Sequence, residues 1–88
     1  MGTDYTDGIY PNPVSDVAII SFMLETSGSV SVQVFDLSGR LITTIANGLF
    51  PAGHYQMEWD ASNVIEGLYI IRMSAGEYLL TEKILVAR

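Results

Sequence analysis

The stretch Ser29-Val30-Ser31-Val32-Gln33-Val34-Phe35-Asp36-Leu37-Ser38-Gly39 decides the fold. Val30, Val32 and Val34 alternate with Ser29, Ser31 and Gln33, and a strand with one oily and one wet face has that period of two. Valine at every second position suits a pleated surface and crowds a helix. Asp36-Leu37-Ser38-Gly39 then stops the run. An aspartate accepts from its own downstream backbone, and a glycine tolerates positive φ.

Working outward from this strand and turn, the same grammar repeats. Upstream, Thr26-Ser27-Gly28-Ser29 is a turn and Val17 to Leu24 is a further strand. Ala18, Ile20, Phe22 and Leu24 share one of its faces, although Val17 and Ile19 make the other apolar too. Residues Met1 to Ser15 form an extended lead-in, because Pro11-Asn12-Pro13 forbids a helix and has no place in a central strand. Downstream, Leu41 to Ile45 is a short strand. Asn47-Gly48 and Pro51-Ala52-Gly53 bracket a longer connection that holds Leu49 and Phe50. Tyr55, Met57 and Trp59 alternate with His54, Gln56 and Glu58, which predicts a half-buried strand with the large side chains inward. Asp60 to Glu66 is a polar loop closed by Gly67. Tyr69, Ile71 and Met73 alternate with Leu68, Ile70 and Arg72, and Ala75-Gly76-Glu77 makes a hairpin turn. Tyr78 to Val86 is the last strand, where adjacent Glu82 and Lys83 predict a bulge.

Six strands follow at short, even spacing, and a seventh comes from the lead-in or from Leu49-Phe50. No segment has helical periodicity. The pattern predicts an all-β fold, an antiparallel immunoglobulin-like β-sandwich of six or seven strands. Its expected core is Ile20, Phe22, Val30, Val32, Val34, Tyr55, Met57, Trp59, Tyr69, Ile71 and Ile84.

The 88 residues make one domain. With 49% hydrophobic residues, the core needs neither metal nor disulfide staples. The net charge is −6, with Arg40, Arg72, Lys83 and Arg88 the only Lys or Arg side chains. Such a surface repels phosphate backbones and anionic lipid, so neither nucleic acid nor a membrane surface is an expected partner. The absence of cysteine excludes disulfides, thiolate metal sites and a Cys nucleophile. No apolar run is long enough to span a bilayer, and the polar start Met1-Gly2-Thr3-Asp4 does not read as a signal peptide.

Residues with chemical potential are better explained by structure. His54 is the one histidine, and a triad would need it in a cleft with a nucleophile and an acid. It falls on the outward parity of its strand. Asp36, Asp60, Asn63 and Glu66 carry oxygens suited to Ca²⁺, but they lack the spacing of a calcium loop and are expected to cap turns. Tyr10, Tyr55, Trp59, Tyr69 and Tyr78 would together suit a sugar-stacking platform. Alternation sends Tyr55, Trp59 and Tyr69 inside, leaving Tyr10 and Tyr78 as surface aromatics. Gly53, Gly67 and Gly76 open strands or sit in turns, and none has the spacing of a phosphate loop. No catalytic residue, cofactor site or metal site is expected.

Several short motifs, weak singly, occur in an order that resembles a known family. Tyr10-Pro11-Asn12-Pro13 resembles its opening signature. Val32 to Arg40, VQVFDLSGR, is similar to its strand ending in Asp, two variable residues, Gly and Arg. Ala52-Gly53-His54-Tyr55 with Glu58-Trp59-Asp60 resembles its Gly, His and Trp-Asp segment. Glu66-Gly67-Leu68-Tyr69-Ile70-Ile71 resembles its Gly-x-Tyr strand, with Glu66 where Pro is frequent. Thr81 to Arg88, TEKILVAR, is similar to its Lys-hydrophobic-x-basic ending, with Arg88 where Lys is frequent. The family is the type A C-terminal sorting domain of the type IX secretion system. The resemblance implies a β-sandwich, spanning residues 10–88 after a lead-in or linker at 1–9, at the end of a larger secreted protein. It implies passage of that N-terminal cargo through the periplasm of a Gram-negative bacterium to the medium or cell surface. The implied partners are the secretion machinery and its sortase, with Gly67, Tyr69, Lys83 and Arg88 as the residues recognised. Lys83 and Arg88 would make an electropositive spot on an acidic domain.

Two other readings are compatible with the pattern. One is a carbohydrate-binding or spacer module of an extracellular enzyme, using Tyr10 and Tyr78. The other is an immunoglobulin-like structural domain of the flagellar-hook-capping type, whose Gly and Trp-Asp pattern is similar. Lys83 and Arg88 would then be charges that keep an edge strand from aggregating.

Overall fold

The computed structural model describes residues 5–88, with side chains from Gly8 onward. The polar start Met1 to Asp4 lies outside the described residues. Seven strands run in chain order: β1 (Tyr5–Tyr10), β2 (Val17–Leu24), β3 (Gly28–Asp36), β4 (Leu41–Phe50), β5 (Gly53–Asp60), β6 (Gly67–Ala75) and β7 (Tyr78–Val86). They form two antiparallel sheets, β1-β2-β5 and β4-β3-β6-β7. The chain passes from one sheet to the other after β2, β4 and β5, which gives the predicted sandwich. The seventh strand is supplied by the lead-in, as β1 pairing with β2.

The core lies where alternation puts it. Ala18, Ile20, Phe22 and Leu24 of β2 face Val30, Val32 and Val34 of β3 and Ile71 and Met73 of β6, all essentially without exposure. Trp59, Tyr69 and Ile84 are buried with them. Two loop residues the pattern did not single out, Val14 and Ala61, are also fully buried. Each removes an apolar side chain from water at an end of the sandwich, where strand periodicity gives no signal.

Four expectations need correction. Leu41 to Ile45 is not a short strand: β4 continues to Phe50, and Asn47-Gly48 lies within it. Register shifts between Val32 and Gln33 and between Val34 and Phe35 leave Ile45 and Ile42 as extra residues on β4. Two such bulges break the parity by which a strand is recognised. The expected bulge at Glu82-Lys83 is absent, since β6 and β7 pair without a shift from Gly67↔Val86 to Ala75↔Tyr78. Glu82 takes an inward position on an edge strand, half-buried, where its carboxylate still reaches water at the margin of the sandwich. Tyr55 and Met57 are half-buried and pack against the core without being part of it. Their strand β5 is an edge, paired to β2 alone, so the inner face is covered on one side only. Tyr78 also packs against the core and is half-buried, not a surface aromatic.

Candidate functional site

The residues of the opening signature and of the terminal strand meet at one end of the sandwich. Proline has no N–H, so Pro11 and Pro13 offer no donor to a strand edge. Asn12 between them supplies one with its side chain. Its Nδ2 donates to the Lys83 carbonyl at 3.1 Å, and the Leu85 N–H donates to its Oδ1 at 3.0 Å. A carboxamide carries one acceptor and a donor, like a peptide unit, so Asn12 stands in for a strand residue against the outer edge of β7. Val14 continues with its backbone: its N–H donates to Leu85 O at 2.8 Å, and the Ala87 N–H donates to Val14 O at 2.9 Å. Val14 and Val86 thereby form a parallel bridge, with both side chains buried.

A second tie closes the same corner. The Arg88 guanidinium donates through Nη2 to the carbonyls of Ala61 and Val64, the latter at 2.9 Å. The Ala61 N–H donates to Asp16 O at 2.6 Å. Segments 12–16, 61–64 and 83–88, far apart in sequence, are thus joined through backbone groups that a loop would otherwise leave to water.

Tyrosines set the starts of β5 and β6 by a shared device. The Tyr69 hydroxyl donates to Ile65 O at 2.5 Å, and the Tyr55 hydroxyl donates to Pro51 O at 2.5 Å. Each reaches back four residues over a glycine, Gly67 or Gly53, whose φ of 150° favours glycine. The Tyr69 ring lies 5.6 Å from Trp59, edge to face, so it is anchored at both ends. Gly53-x-Tyr55 is the same construction as Gly67-x-Tyr69, an identity the sequence displays and the motif reading did not use.

Asp36 and Asp60 cap their own turns. The Asp36 Oδ1 accepts from the Ser38 hydroxyl at 2.6 Å and from the Ser38 and Arg40 N–H groups at 2.9 and 3.0 Å. Arg40 Nε lies 3.2 Å from its Oδ2. The Ser38 hydroxyl bond, then the Arg40 N–H, hold this carboxyl below its ordinary pKa. Asp60 is lowered the same way by the hydroxyl and N–H of Ser62. Among the described residues no three His, Cys, Asp or Glu side chains converge as metal ligands.

The four residues expected to be recognised lie on the β6–β7 hairpin and just beyond it, in different settings. Gly67 opens β6 and pairs with Val86. Tyr69 points into the core. Arg88 reaches the 61–64 loop. Lys83 is exposed on the opposite parity, across from Ile70 and diagonal to Arg72. Lys83 and Arg88 therefore make no single electropositive spot, and Lys83 keeps company with Arg72. Asn12 and Val14 were missed as individual contributors. Their signal was an amide side chain set between two residues that lack N–H groups.

For a sugar platform the geometry is poor. Trp59 is 3% exposed and Tyr78 turns inward at the start of β7, while Tyr10 sits beside the Asn12 corner. His54 is exposed on β5, paired with Met23.

No curated protein matches this sequence. Among solved structures, the crystal structure of dimeric latent PorU from Porphyromonas gingivalis matches with a TM-score of 0.69 at 19% identity. The match covers 98% of this chain and 10% of that one, so the likeness is one of fold with a small part of a much larger protein. The model of the secretion system C-terminal sorting domain matches residues 8–87, which span the signature at Tyr10 and the strand through Val86. The chain belongs to the C-terminal sorting domain family of the type IX secretion system.

Proposed function

We propose that this domain is an export tag that works by being bound and carries out no chemistry of its own. A larger cargo ahead of β1 would be taken across the outer membrane to the medium or the cell surface. A sortase would then act on the junction. The family match over residues 8–87 carries this reading. The β6–β7 hairpin, with its corner at Asn12 and Arg88, is the recognition element. In it Lys83 is the side chain presented, and Gly67, Tyr69 and Arg88 hold the hairpin in shape.

The experiment is a reporter fused ahead of residues 1–88 in a bacterium with a type IX system, beside an isogenic strain lacking its translocon. The reporter is expected outside the first strain and in the periplasm of the second. Equal release from both strains overturns the reading. Deleting residues 83–88 is a poor substitute, since it also removes buried Ile84 and Val86 and both ties of the corner.

A further inference from the structure

The outer face of the four-stranded sheet is divided. Outward positions of β3, β4, β6 and β7 follow from their pairing. One end is mainly polar, with Ser31, Asn47 and Ser74 in one row and Gln33, Thr44, Arg72 and Thr81 in the next, and its exposed Leu49 and Leu79 sit apart on the two edge strands β4 and β7. At the other end, Leu41, Phe35, Ile70 and Lys83 form one row across all four strands. Leu68 and Leu85 pair in the row beyond. Leu41, Leu68 and Leu85 are 48%, 43% and 37% exposed, so the apolar patch is contiguous and open to solvent. Scattered exposed leucines are ordinary, whereas a contiguous patch marks a contact surface.

Charge is divided too. The chain has ten Asp and Glu and four Lys and Arg, yet none of the outward positions on these four strands is acidic. Two of the four cations are there. Arg72 lies over the Phe35 ring at 5.0 Å, and Lys83 stands beside Ile70. The outward positions of β5, on the other sheet, include Glu58 and Asp60.

We propose that this end of the outer face is a docking surface for a protein partner that presents an apolar patch bordered by carboxylates. Arg72 and Lys83 steer and orient it, and the leucines with Phe35 and Ile70 supply the buried area. A second copy packed face to face is disfavoured, because the same surface carries no carboxylate on its outward strand positions to meet these cations. The inference rests on the reading of the domain as a tag that is bound, and it names the surface and the chemistry of the binder.

Two measurements test it. The domain labelled with ¹⁵N is titrated with a synthetic peptide of alternating Leu and Glu. Shifts are expected at Phe35, Leu68, Ile70, Arg72 and Lys83, and the double variant Arg72→Glu, Lys83→Glu should bind about tenfold more weakly or worse. Shifts confined to β2 and β5, or equal binding by the folded variant, overturn the proposal. In the export strain, a photo-crosslinking amino acid at Leu68 should trap a protein other than the domain, and one at Gln56 should not. An adduct of the domain with itself, or equal trapping at both positions, overturns it. A wild-type reporter that is not exported refutes the tag reading, while the titration still decides the surface.

Discussion

Replacing Asn12 by alanine should loosen the corner at which segments 12–16 and 83–88 meet. The change removes a donor from Lys83 O and an acceptor from the Leu85 N–H, and leaves the backbone bonds of Val14 in place. A net hydrogen bond contributes about 0.5–1.5 kcal/mol. Both bonds here are exposed, so water replaces each of them in part and the low half of that range applies. The expected loss is about 1–2 kcal/mol. For a domain of this size that lowers Tm by about 5–10 °C. Thermal melting by circular dichroism gives the first readout, and amide exchange at Leu85 gives the second, with acceleration at Leu85 beyond that at Ile71. Asn63→Ala, an exposed loop change, is the control and should stay within about 0.5 kcal/mol of wild type. A Tm drop for Asn12→Ala below about 2 °C with unchanged exchange at Leu85 would refute the reasoning, because Asn12 would then not act as a strand residue.

Arg88→Lys keeps the charge, but its side chain is one bond shorter than the reach to Nη2 and its ammonium is more strongly hydrated, so it should cost about 1–2 kcal/mol in urea denaturation; an unchanged midpoint would mean that charge alone matters at this position. Tyr69→Phe should cost about 1–2 kcal/mol, and Tyr55→Phe less, since its bond to Pro51 is exposed. Equal effects of the two would count against the buried anchoring of Tyr69. Gly67→Ala should destabilise by about 1–2 kcal/mol from its φ of 150° alone. The added methyl meets no atom within 4 Å, so a loss above about 4 kcal/mol would point to a clash the structure does not contain. Asp36 has a lowered pKa, so its turn contributes stability above its unfolded value near 3.8 and loses it as pH falls through the folded value. The Ser38 and Arg40 amide resonances should hold steady above about pH 4 and move below it, and in Asp36→Asn that movement should vanish.

Where side chains alternate, the fold was legible from residues alone. Val30, Val32 and Val34, or Tyr69, Ile71 and Met73, announce a strand and its inner face because parity and burial coincide. In β4 two inserted residues, Ile42 and Ile45, shift parity twice, so a ten-residue strand looked like a short one and a loop. In β7 Glu82 sits on the inner parity at an exposed margin, and a pattern rule that equates inward with apolar reads this as an irregularity. The corner was half legible. Pro11-Asn12-Pro13 and the terminal run were both singled out, but no local pattern states that an amide at 12 will bond to a strand at 83–85. That pairing depends on sheet order, which is set by the whole chain. Likewise the positions of Lys83 and Arg88 were known, and only their opposite parity separates them in space.

Asn12 and Leu85 are 73 residues apart. Within its sheet β7 pairs with β6 alone, so the corner needs the β6–β7 hairpin in place. The corner therefore cannot exist on a chain that lacks residues 83–88, and it comes apart if either segment strays. Anything that grips this corner thus distinguishes the folded domain from its open chain, which carries the same residues without the bonds between them.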